Sequence, residues 1–195
     1  MPDDPGAFPL RVAEEQVDAQ AIRIARQLRH SRRRSVGLLP ASTEVVVWPA
    51  ALQLGMALQQ VTADRIALVD TEQRWPEIET EFDGVMPANE HAFMNLTPLS
   101  AWLMLASPHR PAPEGAKVQL LQVMLQEIDA SSPPFAHVVL DLTGFYERKG
   151  EFLAAMDSSD GILVVARAGS TVETSLLALE REVPPTLNLG VLLVE

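Results

Sequence analysis

Apolar residues in this chain fall into short unbroken runs, separated by stretches in which they recur every three or four positions. The runs at 36–39 (VGLL), 66–69 (IALV), 101–106 (AWLMLA), 136–140 (AHVVL), 161–166 (GILVVA) and 188–194 (NLGVLLV) have the length of strands and little polar alternation. That pattern marks strands covered on both faces. Helical spacing appears between them, at 10–34, 48–60, 114–129, 147–156 and 171–182. In the first helix Val17, Ala21, Ile24 and Leu28 form one apolar stripe; in the third, Leu121, Met124, Leu125 and Ile128 share a face. Ser170 and Glu173 have capping-box spacing at the start of the last helix, and Glu114 suits the first turn of the third. Strands alternating with helices predict an α/β fold: a mostly parallel sheet of about six to eight strands with helices on both faces, a three-layer α/β/α arrangement.

The stretch 35–76 is the most informative. Strand, loop, helix, turn and strand follow one another with short links, which makes a βαβ unit with parallel strands. Ligands in such sheets sit outside the carboxyl ends of the strands. The loop 40–47 and the segment 70–76 are therefore expected side by side at the binding edge. The next segment, 71–99, holds Pro76, Pro87, Pro98 and the acidic run 77–84, and reads as a long irregular region.

Length and charge narrow the function classes. With 195 residues the chain is one domain with an arm: a leader and basic amphipathic helix over 1–34 and a domain over 35–195. A chain of this size buries roughly 70% of its unfolded surface. Lys+Arg total 15 against 26 Asp+Glu, a net charge of −11, which argues against a general nucleic-acid binder. There is no cysteine, hence no disulfide or thiolate metal site, and a reducing compartment fits. His30, His91, His109 and His137 show no metal-ligand spacing, so no metal is expected. No apolar run reaches transmembrane length, and MPDDPGAFPL does not read as a signal peptide. The first helix carries Arg23, Arg26, Arg29 and Arg32–Arg33–Arg34, either a solvated basic face or a contact surface.

A family resemblance rests on an ordered set of motifs. Leu68-Val69-Asp70-Thr71-Glu72-Gln73-Arg74-Trp75-Pro76 resembles the LIDADLRRP-type strand end of ParA/MinD-type P-loop ATPases. The nearest resemblance is to the cytoplasmic ATPase domain of the bacterial tyrosine kinases of capsule and exopolysaccharide synthesis. Val138-Val139-Leu140-Asp141 resembles that family's second acidic strand end, the stretch 159–171 resembles its "aDgvllVvraGsT" strand, and 189–194 its last strand. The resemblance implies Mg²⁺- and water-handling roles for Asp70 and Asp141; read as residues alone, both also suit strand-end carboxylates that cap loops. Arg167 follows a buried strand and could pair with either. The spacing of Gln20, Arg23 and Arg26 is similar to the family's Glu-x-x-Arg-x-x-Arg assembly helix, with glutamine for glutamate.

The loop departs from the family. A phosphate-binding loop needs glycines, a lysine and a Mg²⁺-ligating hydroxyl. Here it reads Pro40-Ala41-Ser42-Thr43-Glu44-Val45-Val46-Val47-Trp48-Pro49, with no glycine and no lysine. By the family spacing Val47 stands for the lysine and Trp48 for the hydroxyl. Glu44 adds negative charge, and three β-branched valines disfavour φ > 0. Pro40, Val47, Trp48, Asp70, Glu72 and Asp141 thus outline a degenerate site, for which no cofactor is expected. Tyr146 is the only tyrosine, so the kinases' C-terminal tyrosine cluster is missing from this sequence.

The expectation is a non-catalytic, ATPase-like binding or regulatory subunit in polysaccharide export or cell-surface machinery. It would be cytoplasmic, with recruitment to the inner membrane by a partner, and would contact itself, an ATPase-like protein or a membrane-anchored protein through Gln20, Arg23 and Arg26. The alternatives are an active ATPase or tyrosine kinase using ATP and Mg²⁺ at an unusual phosphate site, and a purely structural scaffold.

Overall fold

The computed structural model describes residues 18–72, 93–113, 115–146, 149–169 and 171–194. Among them are five α-helices and seven strands: α1 (Ala19–Ser31), β1 (Ser35–Pro40), α2 (Trp48–Thr62), β2 (Ile66–Asp70), β3 (Met94–Pro98), β4 (Leu103–Pro108), α3 (Lys117–Ala130), β5 (His137–Asp141), α4 (Lys149–Met156), β6 (Gly161–Arg167), α5 (Glu173–Glu182) and β7 (Asn188–Val194). The strands form one sheet in the order β3-β4-β2-β5-β1-β6-β7. β3 runs antiparallel to β4, and every other pairing is parallel.

Successive strand residues point to opposite faces, so an unbroken apolar run feeds two cores at once. Leu38 and Leu68 join α1 and α2 on one face, together with Leu54, Leu58 and Leu103. Leu39 and Val69 join α3, α4 and α5 on the other, with Leu121, Met124, Phe152 and Leu179. Leu54 and Leu121 are fully buried; truncating either to alanine would cost about 2–5 kcal/mol. The α/β/α expectation from the apolar runs is met.

α1 packs Ala21, Ile24, Ala25 and Leu28 inward, the described part of the expected stripe; Val17 lies outside the described residues. Asp18 caps it by accepting from the Gln20 N–H at 2.8 Å, and Arg32 closes it in the left-handed region at φ 56°. Several local expectations need correction. The strand expected at 101–106 runs Leu103–Pro108, with Ala101 and Trp102 in the preceding turn. The region 71–99 is not wholly irregular, because β3 occupies Met94–Pro98. An edge strand tolerates its terminal proline, since one side of the ladder is unpaired. α5 begins at Glu173 with Val172 as N-cap and no side-chain cap bond. The capping-box partner Ser170, like Arg74, Pro76, the acidic run 77–84, His91 and Glu114, lies outside the described residues.

Candidate functional site

Parallel strands deliver their last residues to one edge. In the central register Asp70 of β2 faces Asp141 of β5, and Asp141 also faces Leu38 of β1. Both aspartates are buried. Asp70 accepts from the Glu72 N–H at 2.9 Å. Asp141 accepts from the Thr143 N–H at 2.8 Å and from the Thr143 hydroxyl at 2.5 Å. These are turn-closing bonds, in which a strand-end carboxylate satisfies the first N–H groups of the following loop.

A lysine does reach this edge, and it is a residue that sequence reasoning did not single out. Lys117 opens α3, and its ammonium lies 2.5 Å from Glu72 Oε1 and donates to the Gly144 carbonyl at 3.2 Å. The Lys117 and Glu72 side chains are only 18% and 20% exposed. Glu72 lies so close over Gly144 that a Cβ there would collide with its carboxyl group. Among the described residues the edge therefore carries three acids and one lysine, with Lys117, Glu72 and Gly144 tied together across the end of β2, α3 and the turn after β5. The expected pairing of Arg167 with Asp70 or Asp141 is not among the ion pairs described; the Arg167 side chain is exposed.

The loop after β1 folds inward. Pro40 ends β1, Ala41 is buried, and Val45 and Val47 are 4% and 2% exposed within the α1/α2 core. Trp48 packs against the same cluster, while Val46 and Glu44 face outward. No residue of this loop has a positive φ; among the described non-glycine residues only Arg32 and Ala63 do. Ala41 donates its N–H to the Val165 carbonyl at 2.8 Å, and Val45 to Ser42 at 3.1 Å. α2 starts behind Val47 with proline at its first turn and no side-chain cap. A phosphate cradle needs converging free N–H groups and a cation. Here two N–H groups are spent, one is a proline nitrogen, and the lysine position is a core valine. The loop residues do not fit ATP phosphates with Mg²⁺.

On α1, Arg23 and Arg26 are exposed. Gln20 is half-buried and donates its amide to the Val191 carbonyl at 3.2 Å, tying α1 to β7. Among the described residues, no group of three or more His, Asp or Glu is placed to hold a metal ion.

No protein-family model matches the chain, and no curated protein matches it by sequence. Solved structures do match. The BceF tyrosine kinase domain is 13% identical with a TM-score of 0.60, covering 93% of this chain and 77% of that one. The chimerical protein CapA2B2 is 12% identical at 0.68, covering 95% and 88%. The kinase domain of the Escherichia coli tyrosine kinase ETK is 15% identical at 0.57, covering 99% and 81%. The chain has the fold of bacterial tyrosine kinase domains. The resemblance carried by the strand-end motifs thus holds at the level of fold. Within that kinase-like fold, the β1–α2 loop is the element whose side chains depart from a nucleotide cradle.

Proposed function

We propose that this chain is a non-catalytic, ATPase-like protein that works by binding, as a regulatory or adaptor subunit. The observation that carries the reading is the inward fold of the β1–α2 loop: Val45 and Val47 occupy core positions where a phosphate site needs open backbone and a lysine. Asp70 and Asp141 close turns, and the lysine at the edge is held by Glu72. The process follows from the resemblance to the capsule and exopolysaccharide kinases: polysaccharide export or cell-surface organisation. The location is the cytoplasm, with a partner drawing the chain to the inner membrane. No helix among the described residues is long and apolar enough to cross a membrane. The partner is a second copy, an ATPase-like protein or a membrane-anchored protein. The exposed Arg23 and Arg26 meet its acidic face, and Gln20 fixes the helix that presents them.

Calorimetric titration with Mg-ATP tests the reading. Each lost charge-assisted phosphate contact removes about 1.5–3 kcal/mol, so no saturable binding is expected at micromolar ligand. A low-micromolar dissociation constant would overturn it in favour of an active ATPase or tyrosine kinase with an unusual phosphate site.

A further inference from the structure

α1 and the C-terminal end of α2 border an open pocket of about 460 Å³ lined by Ile22, Arg26, Arg29, His30, Gln60 and Val61. Its charge is of one sign. Arg26, Arg29 and His30 come from α1, α2 carries no charged residue from Trp48 to Thr62, and the sequence has no acid between Asp18 and Glu44. Six of the chain's fifteen Lys+Arg lie between 23 and 34, although the whole protein is net −11.

The cationic side chains are partly held in place. Arg29 donates from Nη1 to the Val61 carbonyl at 3.1 Å, which caps the end of α2 and leaves four of its five N–H donors. His30 Nδ1 lies 2.6 Å from the Arg26 carbonyl. Nδ1 is committed to that bond, and Nε2 donates to an anion only when the ring carries its second proton as well. Ile22 and Val61 supply apolar walls. The carbonyl ends of two helices oppose an anion here; Arg29 offsets that by capping one of them. A plain solvated basic face would spread its charges along the helix. Here Arg26 and Arg29 share one concavity with the His30 imidazole and the Gln60 amide on the facing helix.

We propose that this pocket binds a small phosphate-bearing anion of pyrophosphate or phosphomonoester type. Arg26 and Arg29 would supply forked N–H donors, His30 a third contact and Gln60 a neutral one. The site lies at the helix pair, apart from the β1–α2 loop, and shares Arg26, but not Arg29, His30 or Gln60, with the proposed docking face.

Calorimetric titration with sodium pyrophosphate at low salt is the direct test, with co-sedimentation on phosphatidylcholine vesicles with and without phosphatidic acid as a second arm. Saturable pyrophosphate binding is expected, weakened about tenfold or more by His30→Ala and by Arg29→Ala and weakened by added salt. Arg29→Ala removes a cap, so His30→Ala, with melting temperature checked, keeps the test independent of folding. Vesicle binding that requires phosphatidic acid and is lost in the same variants assigns the phosphate to a lipid headgroup; its absence assigns it to a soluble compound. No saturation by about 5 mM pyrophosphate, an affinity too weak for a built site, would overturn the proposal. So would saturation unchanged by both variants. Arg23→Glu lies outside the pocket and reports on partner docking, so failure of one reading leaves the other measurable.

Discussion

The Lys117 ammonium and the Glu72 carboxylate meet at 2.5 Å across the edge of the sheet, each four-fifths buried. A cation at the first position of a helix opposes the helix dipole, and an acid beside Asp70 and Asp141 adds like charge. Each partner therefore occupies a place made tolerable by the other. The pair fastens α3 to the end of β2, and the Gly144 carbonyl joins the turn after β5 to the same ammonium.

Lys117→Met and Glu72→Gln should each destabilise the protein, and the double variant should cost less than the two added together. A coupling of about 1–2 kcal/mol is expected, between the values for exposed and fully buried pairs. Urea unfolding of the four proteins measures it, and strict additivity would show that the pair contributes nothing.

Stability should fall on mild acidification because of His137. Burial lowers its pKa from the usual 6.5; a backbone contact with Arg33 and the charge of Asp64 act the other way, and the Arg34 charge adds to the lowering. Its Nδ1 has no hydrogen-bond partner. The unfolded chain thus takes up the proton first. The contribution is constant above the unfolded pKa and is lost as pH falls from about 6.5 toward the lower folded value. Asp160 acts at lower pH: burial raises its pKa, but bonds from the Ser35 and Arg34 N–H groups and the Ser35 hydroxyl, together with the Arg33 charge, lower it overall. Its contribution is present above the usual carboxylate range and lost as pH falls through its depressed value. Urea midpoints between pH 7.5 and 5.5 should drop for the wild type, and His137→Leu should flatten that slope.

Two glycines should respond oppositely to substitution. A Cβ on Gly55 of α2 would lie 2.8 Å from Leu68 Cδ2 and 2.9 Å from Leu103 Cδ1, so the helix rides directly on the sheet there. Gly55→Val should cost about 1–3 kcal/mol through overpacking. Gly150 of α4 has nothing within 4 Å of its Cβ position. Gly150→Ala should gain about 0.5–1 kcal/mol from helix propensity. Thermal melts of both variants compare them, with about 2–4 °C per kcal/mol at this size.

The exposed arginines of α1 make the docking reading measurable. Arg23→Glu combined with Arg26→Glu should weaken self-association or partner binding while the circular dichroism spectrum stays unchanged, because neither side chain is in the core. Sedimentation velocity from about 50 to 500 mM salt should show the wild-type assembly weakening as the screening length shrinks to a few ångströms. Assembly that ignores both charge reversal and salt would mean an ordinary solvated face.

The sequence alone determined the alternation of elements, the two-sided burial of the strands and the lack of glycine and lysine in the β1–α2 loop. Each depends on residues adjacent in the chain: runs such as 161–166 can be buried on both faces without help from a distant partner, and a loop lacking glycine and lysine lacks them in any fold. The tertiary structure alone decided which distant groups meet. Residues Lys117 and Glu72 are separated by a strand pair before they pair, Gln20 reaches Val191 across almost the whole chain, and the short, proline-ended stretch Met94–Pro98 becomes a strand only because β4 offers it an open edge. Local periodicity sets which face of an element is apolar; which polar side chains share an edge is set by strand order, which local sequence does not encode.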